Sequence, residues 1–140
     1  MAPSPYLRHP GDSARDIADR LMPEGTILVV EDDPLMRLGT CAMLQEVGCT
    51  PVEAGSADAA LMILESRRDI KIVVSDIQMP GSMDGLGLLA IVRNRWPPIA
   101  LLVTSGQVEP AVEDLPAGAR FLAKPYVQRQ LGQHLHALTG

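Results

Sequence analysis

The stretch Ile27-Leu28-Val29-Val30-Glu31-Asp32-Asp33-Pro34 decides how the rest of the chain is interpreted. Its first four residues form a short uninterrupted apolar run, which is typical of a parallel strand buried on both faces. Three acids follow the run. Pro34 then fits the first turn of a helix, where its missing N–H is tolerated. The stretch therefore predicts a buried strand that passes through an acidic turn directly into a helix.

The same alternation of strand and helix continues to the end of the chain. Further strands are predicted at 50–54, which is weak, and at 72–74, 99–103 and 121–123. Between them, apolar residues recur at helical spacing; the first helix would bury Met36, Thr40, Met43 and Val47, and the terminal helix Val127, Leu131, Leu135 and Leu138. Five strands that alternate with helices predict an α/β fold, in which helices cover both faces of a parallel sheet.

Two parts of the chain depart from this regular pattern. Residues 1–24 hold four prolines and mixed charges, so we predict a flexible extension or a short helix there, followed by a single domain over 25–140. Pro110, Pro116 and Gly118 interrupt the fourth helical segment, which can therefore have only one or two turns or be absent.

The composition excludes several classes of protein. The net charge of −5 argues against a nucleic-acid-binding protein, which would carry a basic surface. No apolar run approaches the length of about 20 residues that spans a bilayer, and the first ten residues lack the apolar core of a secretory signal. Cys41 and Cys49 have no disulfide or metal-binding spacing, so we expect a reducing cytoplasm.

Polar residues follow four of the five predicted strands. They are Glu31-Asp32-Asp33, Ser75-Asp76, Thr104-Ser105-Gly106 and Lys124-Pro125. In an open α/β sheet, ligands bind at the carboxyl ends of the strands, so these groups are expected to share one site. Clustered carboxylates need a raised pKa or a neutralising cation, and oxygen ligands without His or Cys favour Mg²⁺. A hydroxyl and an ammonium beside that ion suit a phosphoryl group, with an aspartate as nucleophile.

Five segments together resemble the receiver domains of response regulators, of the single-domain chemotaxis type. They are Leu28-Val29-Val30-Glu31-Asp32-Asp33-Pro34, Ser75-Asp76-Ile77-Gln78-Met79-Pro80-Gly81, Met83-Asp84-Gly85, Val103-Thr104-Ser105-Gly106 and Leu122-Ala123-Lys124-Pro125-Tyr126. Each motif alone is weak, but all of them occur in order over roughly residues 25–140. The resemblance implies a doubly wound, flavodoxin-like (βα)5 sheet with strand order 2-1-3-4-5, here with a shortened fourth helix.

The resemblance also assigns a role to each matching position. Asp76 matches the phosphoacceptor aspartate. Asp32 and Glu31 match the acidic pair that holds Mg²⁺, and Asp76 and the backbone carbonyl of Gln78 complete the protein ligands. Glu31 stands where Asp is commoner, which lengthens its reach by one methylene.

The remaining positions concern the switch that follows phosphorylation. Thr104 matches the hydroxyl that turns towards the phosphoryl group, and Lys124 matches the lysine that contacts it, usually before a cis proline. Phe121 matches the aromatic that moves between exposed and buried positions. Gln78 and Gly106 match positions that tune hydrolysis of the aspartyl phosphate. The loop Gly81-Ser82-Met83-Asp84-Gly85 is one residue longer than its commonest form, so we expect it to bulge.

The function implied is that of a phosphoacceptor in a two-component system rather than an enzyme. A histidine kinase or histidine phosphotransfer protein would donate to Asp76 in a Mg²⁺-dependent step, and self-phosphorylation from small donors and self-dephosphorylation are expected. Because the chain ends with the terminal helix, output is expected through a downstream protein or a relay. We expect a cytoplasmic monomer or weak dimer that binds neither nucleic acid nor membrane.

Three alternative functions share some of these sequence features. A receiver-like module that binds partners without phosphorylation would account for the short fourth helix, but such a module need not keep the acids, Thr104 and Lys124 together. A phosphatase with an aspartate nucleophile commonly has a second acid two residues later, where this chain has Gln78. A flavodoxin-like cofactor protein is disfavoured because acids after the first strand would repel a phosphate.

Overall fold

One parallel sheet forms the centre of the protein. The computed structural model describes residues 26–79, 83–106 and 110–139. The five strands are β1 (Thr26–Val30), β2 (Thr50–Ala54), β3 (Ile70–Asp76), β4 (Ala100–Ser105) and β5 (Arg120–Ala123). Every neighbouring pair is parallel, and the order across the sheet is β2-β1-β3-β4-β5. The predicted fold class and strand order are therefore confirmed.

Four α-helices in the described residues connect or follow the strands. They are α1 (Pro34–Glu46), α2 (Ala57–Ser66), α3 (Gly85–Arg95) and α4 (Gln128–Thr139). Three of them begin at a side chain that accepts hydrogen bonds from backbone N–H groups of the first turn: Asp33 caps α1, Ser56 caps α2 and Asp84 caps α3. These caps satisfy amide groups that would otherwise lack a partner at the helix start.

The two faces of the sheet carry separate apolar cores. Leu28 and Val30 of β1 pack on the side of α2 and α3, whereas Ile27 and Val29 pack on the side of α1 and α4. All four side chains are at most 1% exposed. Successive side chains of a strand point to opposite faces, so an uninterrupted apolar run is what a doubly covered strand requires.

Two predicted helix faces differ from the structure. Of the four residues predicted to be buried by the first helix, Thr40 and Val47 are buried, Met43 is partly buried and Met36 remains 38% exposed, while α1 also buries Cys41 and Leu44. Val127 lies just before α4 and is 61% exposed, so it does not belong to the apolar face of that helix. Helical spacing allows two adjacent stripes along α1, and only the angle at which α1 packs on the sheet selects one of them.

The described part of the crossover between β4 and β5 contains little helix. Within residues 110–119, the structure has one 3-10 turn at Val112–Asp114. Gly118, with a φ of 80°, adopts a conformation that residues with a side chain rarely take. The prediction that the helical segment between β4 and β5 is shortened is therefore confirmed. The prediction for residues 1–24 lies outside the described residues, and so does the first part of the loop 81–85 that was expected to bulge. No helix in the described part of the chain has both the length and the apolar character to cross a membrane.

The two cysteines differ in their surroundings. Cys41 is buried, and burial together with the charge of Glu53 raises its pKa to about 11. Burial also raises the pKa of Cys49, but this residue is partly exposed.

We expect iodoacetamide near pH 8 to alkylate Cys49 well before Cys41 in the folded protein. With a pKa of about 11, roughly one Cys41 thiol in a thousand is ionised near pH 8, and the thiolate is the reactive form. Peptide mass spectrometry over time measures the two rates, and the denatured chain serves as the control in which both thiols react. Equal rates in the folded protein would contradict the burial of Cys41.

Candidate functional site

The side chains that the sequence predicts to share one site lie together at the carboxyl ends of the strands. Glu31 directly follows β1, and Asp76 is the last residue of β3. Thr104 of β4 pairs with Asp76 in the sheet register, and Lys124 directly follows β5. Because the strands are parallel, residues at their ends meet at one edge of the sheet although they lie far apart in sequence.

Three carboxylates form the acidic part of this site. Each of Glu31, Asp32 and Asp76 offers a carboxylate oxygen, and these oxygens lie within 4.8 Å of one another. Glu31 is 5% exposed and Asp76 is 9% exposed, whereas Asp32 faces solvent. An all-oxygen set with an open side towards water fits Mg²⁺, which keeps several of its own water molecules.

Lys124 neutralises part of the acidic charge. Its Nζ donates a hydrogen bond to Asp76 Oδ2 at 3.1 Å and a second one to Glu31 Oε1. Only about a tenth of the Lys124 side chain is exposed. Burial pulls the pKa of Lys124 down, but the hydrogen bonds and charges of Glu31 and Asp76 outweigh burial and raise the pKa above its usual value. The ammonium therefore stays charged at neutral pH.

The other predicted residues lie around this centre. The Gln78 N–H points towards Asp76 Oδ1 at 3.4 Å, and Ile77 donates its N–H to the carbonyl of Thr104 at 2.9 Å. Thr104 is buried. Phe121 is half-buried and packs against the core on the side of α2 and α3. The Lys124–Pro125 bond is cis, as the resemblance implied.

Asp33 is separate from the acidic cluster. Its Oδ1 accepts hydrogen bonds from Leu35 N at 2.9 Å and Met36 N at 3.4 Å. Capping of α1 therefore accounts for the Asp33 carboxylate without a role in the acidic cluster. The backbone N–H of Asp33 donates to Glu31 Oε2 at 3.2 Å, so the acidic turn is held by its own backbone.

Arg37 is a site residue that the sequence interpretation missed. Its Nη1 donates to the backbone carbonyl of Glu31 at 2.7 Å, and its Nε donates to Glu53 at 3.1 Å. Arg37 thereby ties the acidic turn to the end of β2. A basic residue one helical turn after a run of acids is the sequence signal that could have identified it.

Tyr126 and Met36 also lie beside the site without having been predicted there. Tyr126 and Thr40 share a hydrogen bond between their hydroxyl groups at 2.5 Å, and burial raises the pKa of Tyr126. Met36 Sδ lies 3.8 Å from Lys124 Nζ. A small cavity of about 160 Å³ is lined by these side chains and by Lys124. Nothing in a single sequence indicates that Thr40 and Tyr126 touch, since 86 residues separate them.

Comparison with known proteins identifies relatives of the chain. The family model described as "Response regulator receiver domain" matches residues 27–136. The sensor kinase CckA of Brucella abortus is 42% identical over 118 residues, which cover 81% of this chain and 12% of that protein. The response regulator protein FleR of Pseudomonas aeruginosa is 41% identical over 108 residues, covering 75% of this chain and 22% of FleR. The chain thus spans less than a quarter of the length of these relatives.

Solved structures show the same architecture. The crystal structure of a response regulator receiver protein from Sinorhizobium medicae WSM419 has a TM-score of 0.75 and 25% identity, and the match covers 83% of this chain and 94% of that one. A CheY-like receiver domain protein from Methanospirillum hungatei JF-1 gives a TM-score of 0.70 at 26% identity, over 79% of this chain and 90% of that one. These matches confirm the predicted resemblance and fold.

Proposed function

This chain belongs to the response regulator receiver domain family, and from that premise we propose that it accepts a phosphoryl group on Asp76 in a Mg²⁺-dependent step. The observation that carries the proposal is the surroundings of Asp76. This nearly buried carboxylate has oxygens of Glu31 and Asp32 within 4.8 Å and the Lys124 ammonium at 3.1 Å. Members of the family act as regulators in two-component signalling, and this role does not favour a phosphorylation-independent module.

The proposed transfer exchanges one bond to phosphorus for another. A carboxylate oxygen of Asp76 bonds to phosphorus while the bond between phosphorus and the donor's imidazole nitrogen breaks. The imidazole keeps the electron pair of that bond and takes up a proton from solvent. The product is an acyl phosphate on Asp76, and attack by water on phosphorus returns the carboxylate and releases inorganic phosphate.

The chain's own residues have distinct roles in this scheme. Lys124 already contacts Asp76 Oδ2, so its ammonium is close enough to bind a phosphoryl oxygen once that group is attached. Thr104 sits beside Asp76 in the adjacent strand and offers a hydroxyl to the same group. We assign the metal to Glu31, Asp32, Asp76 and the carbonyl of Gln78. Bound Mg²⁺ supplies positive charge that offsets the charge of the phosphoryl oxygens.

We further propose that the donor is a histidine kinase or a histidine phosphotransfer protein that docks on α1. Leu35 and Leu38 of α1 are 80% and 61% exposed, and Val127 before α4 is 61% exposed. Met36, which contacts Lys124, links these side chains to the phosphorylation site. An exposed apolar patch beside a reactive group suits a partner that must bring its phosphohistidine to Asp76. A downstream target protein and a monomer or weak dimer remain our predictions.

The test is phosphorylation by a small donor. Purified protein is incubated with acetyl phosphate and Mg²⁺, and its intact mass is measured at short intervals; we expect one added phosphoryl group that then decays by hydrolysis. Omission of Mg²⁺ with added EDTA should prevent the addition. If the protein gains no phosphoryl group from acetyl phosphate or from a phosphorylated histidine phosphotransfer protein, the proposal is wrong.

Asp32→Asn is expected to weaken Mg²⁺ binding by about tenfold or more, because the substitution removes one of three clustered negative charges. Calorimetric titration with magnesium chloride measures this affinity. Asp33→Asn is the matched control: asparagine caps a helix as well as aspartate does, and Asp33 is outside the cluster. Equal affinities for the two variants would contradict the assignment of Asp32 to the metal.

A further inference from the structure

A groove of about 540 Å³ lies at the opposite end of the sheet from Asp76. It is formed where α2 and α3 end and where β3 and β4 begin, and its apolar lining includes Leu64, Ile70 and Ile99, each at most 7% exposed. Ile70 and Asp76 are the two ends of the seven-residue strand β3, so about 20 Å separates the groove from the phosphorylation site. A ligand in this groove would therefore not touch Asp76.

The rim of the groove is basic although the chain has a net charge of −5. Four basic side chains line it: Arg67, Arg68, Lys71 and Arg95. Two of them have acidic partners, since Arg67 pairs with Asp69 at 2.6 Å and Arg95 pairs with Glu65 at 3.1 Å. These ion pairs, together with the negative carboxyl ends of α2 and α3, neutralise part of the positive charge at the rim.

The charges of Arg68 and Lys71 are not neutralised by such pairs. Within the described residues, neither side chain forms an ion pair, and both are exposed. Two uncompensated cations at the mouth of a partly apolar groove favour an anionic ligand. Ion pairs within the fold account for the presence of Arg67 and Arg95 at this rim. No such pair accounts for Arg68 and Lys71 within the described residues.

Trp96 gives the groove a planar aromatic surface. The guanidinium carbon of Arg95 lies 4.4 Å from the centroid of the Trp96 ring, and Trp96 itself is half-buried in the wall. Indole and guanidinium planes both stack favourably against aromatic rings. Because the Arg95 guanidinium covers one face of Trp96, a planar ligand would stack on the outer side of this pair, beside the two unpaired cations.

We propose that this groove binds a nucleotide, with the base against Trp96 and Arg95 and the phosphates at Arg68 and Lys71. Its volume falls within the range of roughly 300–1,000 Å³ that is usual for small-molecule sites. An inorganic anion would contact Arg68 and Lys71 but would make no contact with the aromatic and apolar lining. An acidic protein segment would use the charge but has no need for a stacking surface.

Trp96 is the only tryptophan of the chain, so its fluorescence reports on the groove directly. The full chain is titrated with ATP in the presence of EDTA, and we expect a saturable change in Trp96 fluorescence. Adenosine and inorganic pyrophosphate should each bind at least about tenfold more weakly than ATP, because each supplies only half of the contacts.

The variant Arg68→Gln/Lys71→Gln is expected to weaken ATP binding by about tenfold or more. Arg129→Gln, which removes an exposed charge from α4, is the matched control and should bind ATP as the unaltered chain does. Thermal melting of each variant verifies that it is folded.

Several results would overturn the nucleotide site. They are the absence of a saturable response to ATP, equal affinity for ATP and pyrophosphate, and unchanged affinity in the double variant. A response to a polyglutamate peptide without one to ATP would overturn it in favour of an acidic protein partner. Because no Mg²⁺ is present, all of these results are independent of phosphorylation at Asp76.

Discussion

Asp76→Asn is expected to abolish the addition of a phosphoryl group from acetyl phosphate, even at saturating Mg²⁺. The amide that replaces the carboxylate is neutral and has no oxygen of comparable nucleophilicity. The Asp76 carboxylate also accepts a hydrogen bond from the Lys124 ammonium, and an amide oxygen would bind that charged donor less strongly. Intact-mass measurement should therefore show no adduct at any time point.

Asp33→Asn is the control for the Asp76 experiment. Asp33 lies two residues from Glu31 in the same acidic turn, but its carboxylate caps α1. Asparagine preserves this cap, so the variant should fold and should accept a phosphoryl group as the unaltered protein does. An adduct of unchanged yield in Asp76→Asn would show that another side chain is the acceptor and would contradict the proposed site.

Gly85→Ala is expected to destabilise the fold by about 3 kcal/mol, at the upper end of the usual cost of overpacking. A Cβ at position 85 would lie 1.7 Å from the backbone carbonyl oxygen of Asp76 and 2.9 Å from Ile77 Cα. Gly85 also donates its N–H to the Ile77 carbonyl at 2.8 Å, which fixes the start of α3 against the end of β3. The three atoms nearest to the added Cβ all belong to the backbone, so the collision cannot be relieved by rotating a side chain.

This loss should lower the midpoint of thermal unfolding by about 10 °C. Because the substitution displaces the carbonyl of Asp76 itself, the folded fraction should also accept phosphoryl groups more slowly. Gly39→Ala is the matched control, since an added Cβ there meets no atom within 4 Å. Gly39 lies inside α1, where alanine is favoured over glycine by about 1 kcal/mol, so this variant should be more stable. Similar melting temperatures for the two variants would contradict the predicted collision.

Strand β1 and the acids after it show how far the sequence alone could lead. The apolar run predicts a strand covered on both faces, and the structure has β1 at the interior of the sheet between β2 and β3. The strand-end rule then groups Glu31, Asp76 and Lys124, and the structure brings these three side chains into contact. Both predictions hold because they depend on the period of apolar residues along a strand and on the parallel direction of the strands. The apolar and polar residues of each short segment are enough to indicate both.

Other contacts could not be predicted from the sequence. The exposure of Met36 and the burial of Leu44 depend on how α1 is rotated against the sheet. Which of the carboxylates at this edge accept hydrogen bonds from Lys124 depends on the path of the chain after β5. The hydrogen bond between Thr40 and Tyr126 depends on how α1 packs against the loop that follows β5.

Sequence alone predicted the five strands, the start of α1 at Pro34 and the residue types at the carboxyl edge of the sheet. These follow from hydrophobic period and from capping, which act over a few residues. Tertiary structure alone decided which side of α1 is buried, which carboxylates share Lys124, and that residues 64–71 and 95–99 enclose a basic groove. Those outcomes depend on distances of a few ångströms between segments far apart in the chain, and only the packed fold sets such distances.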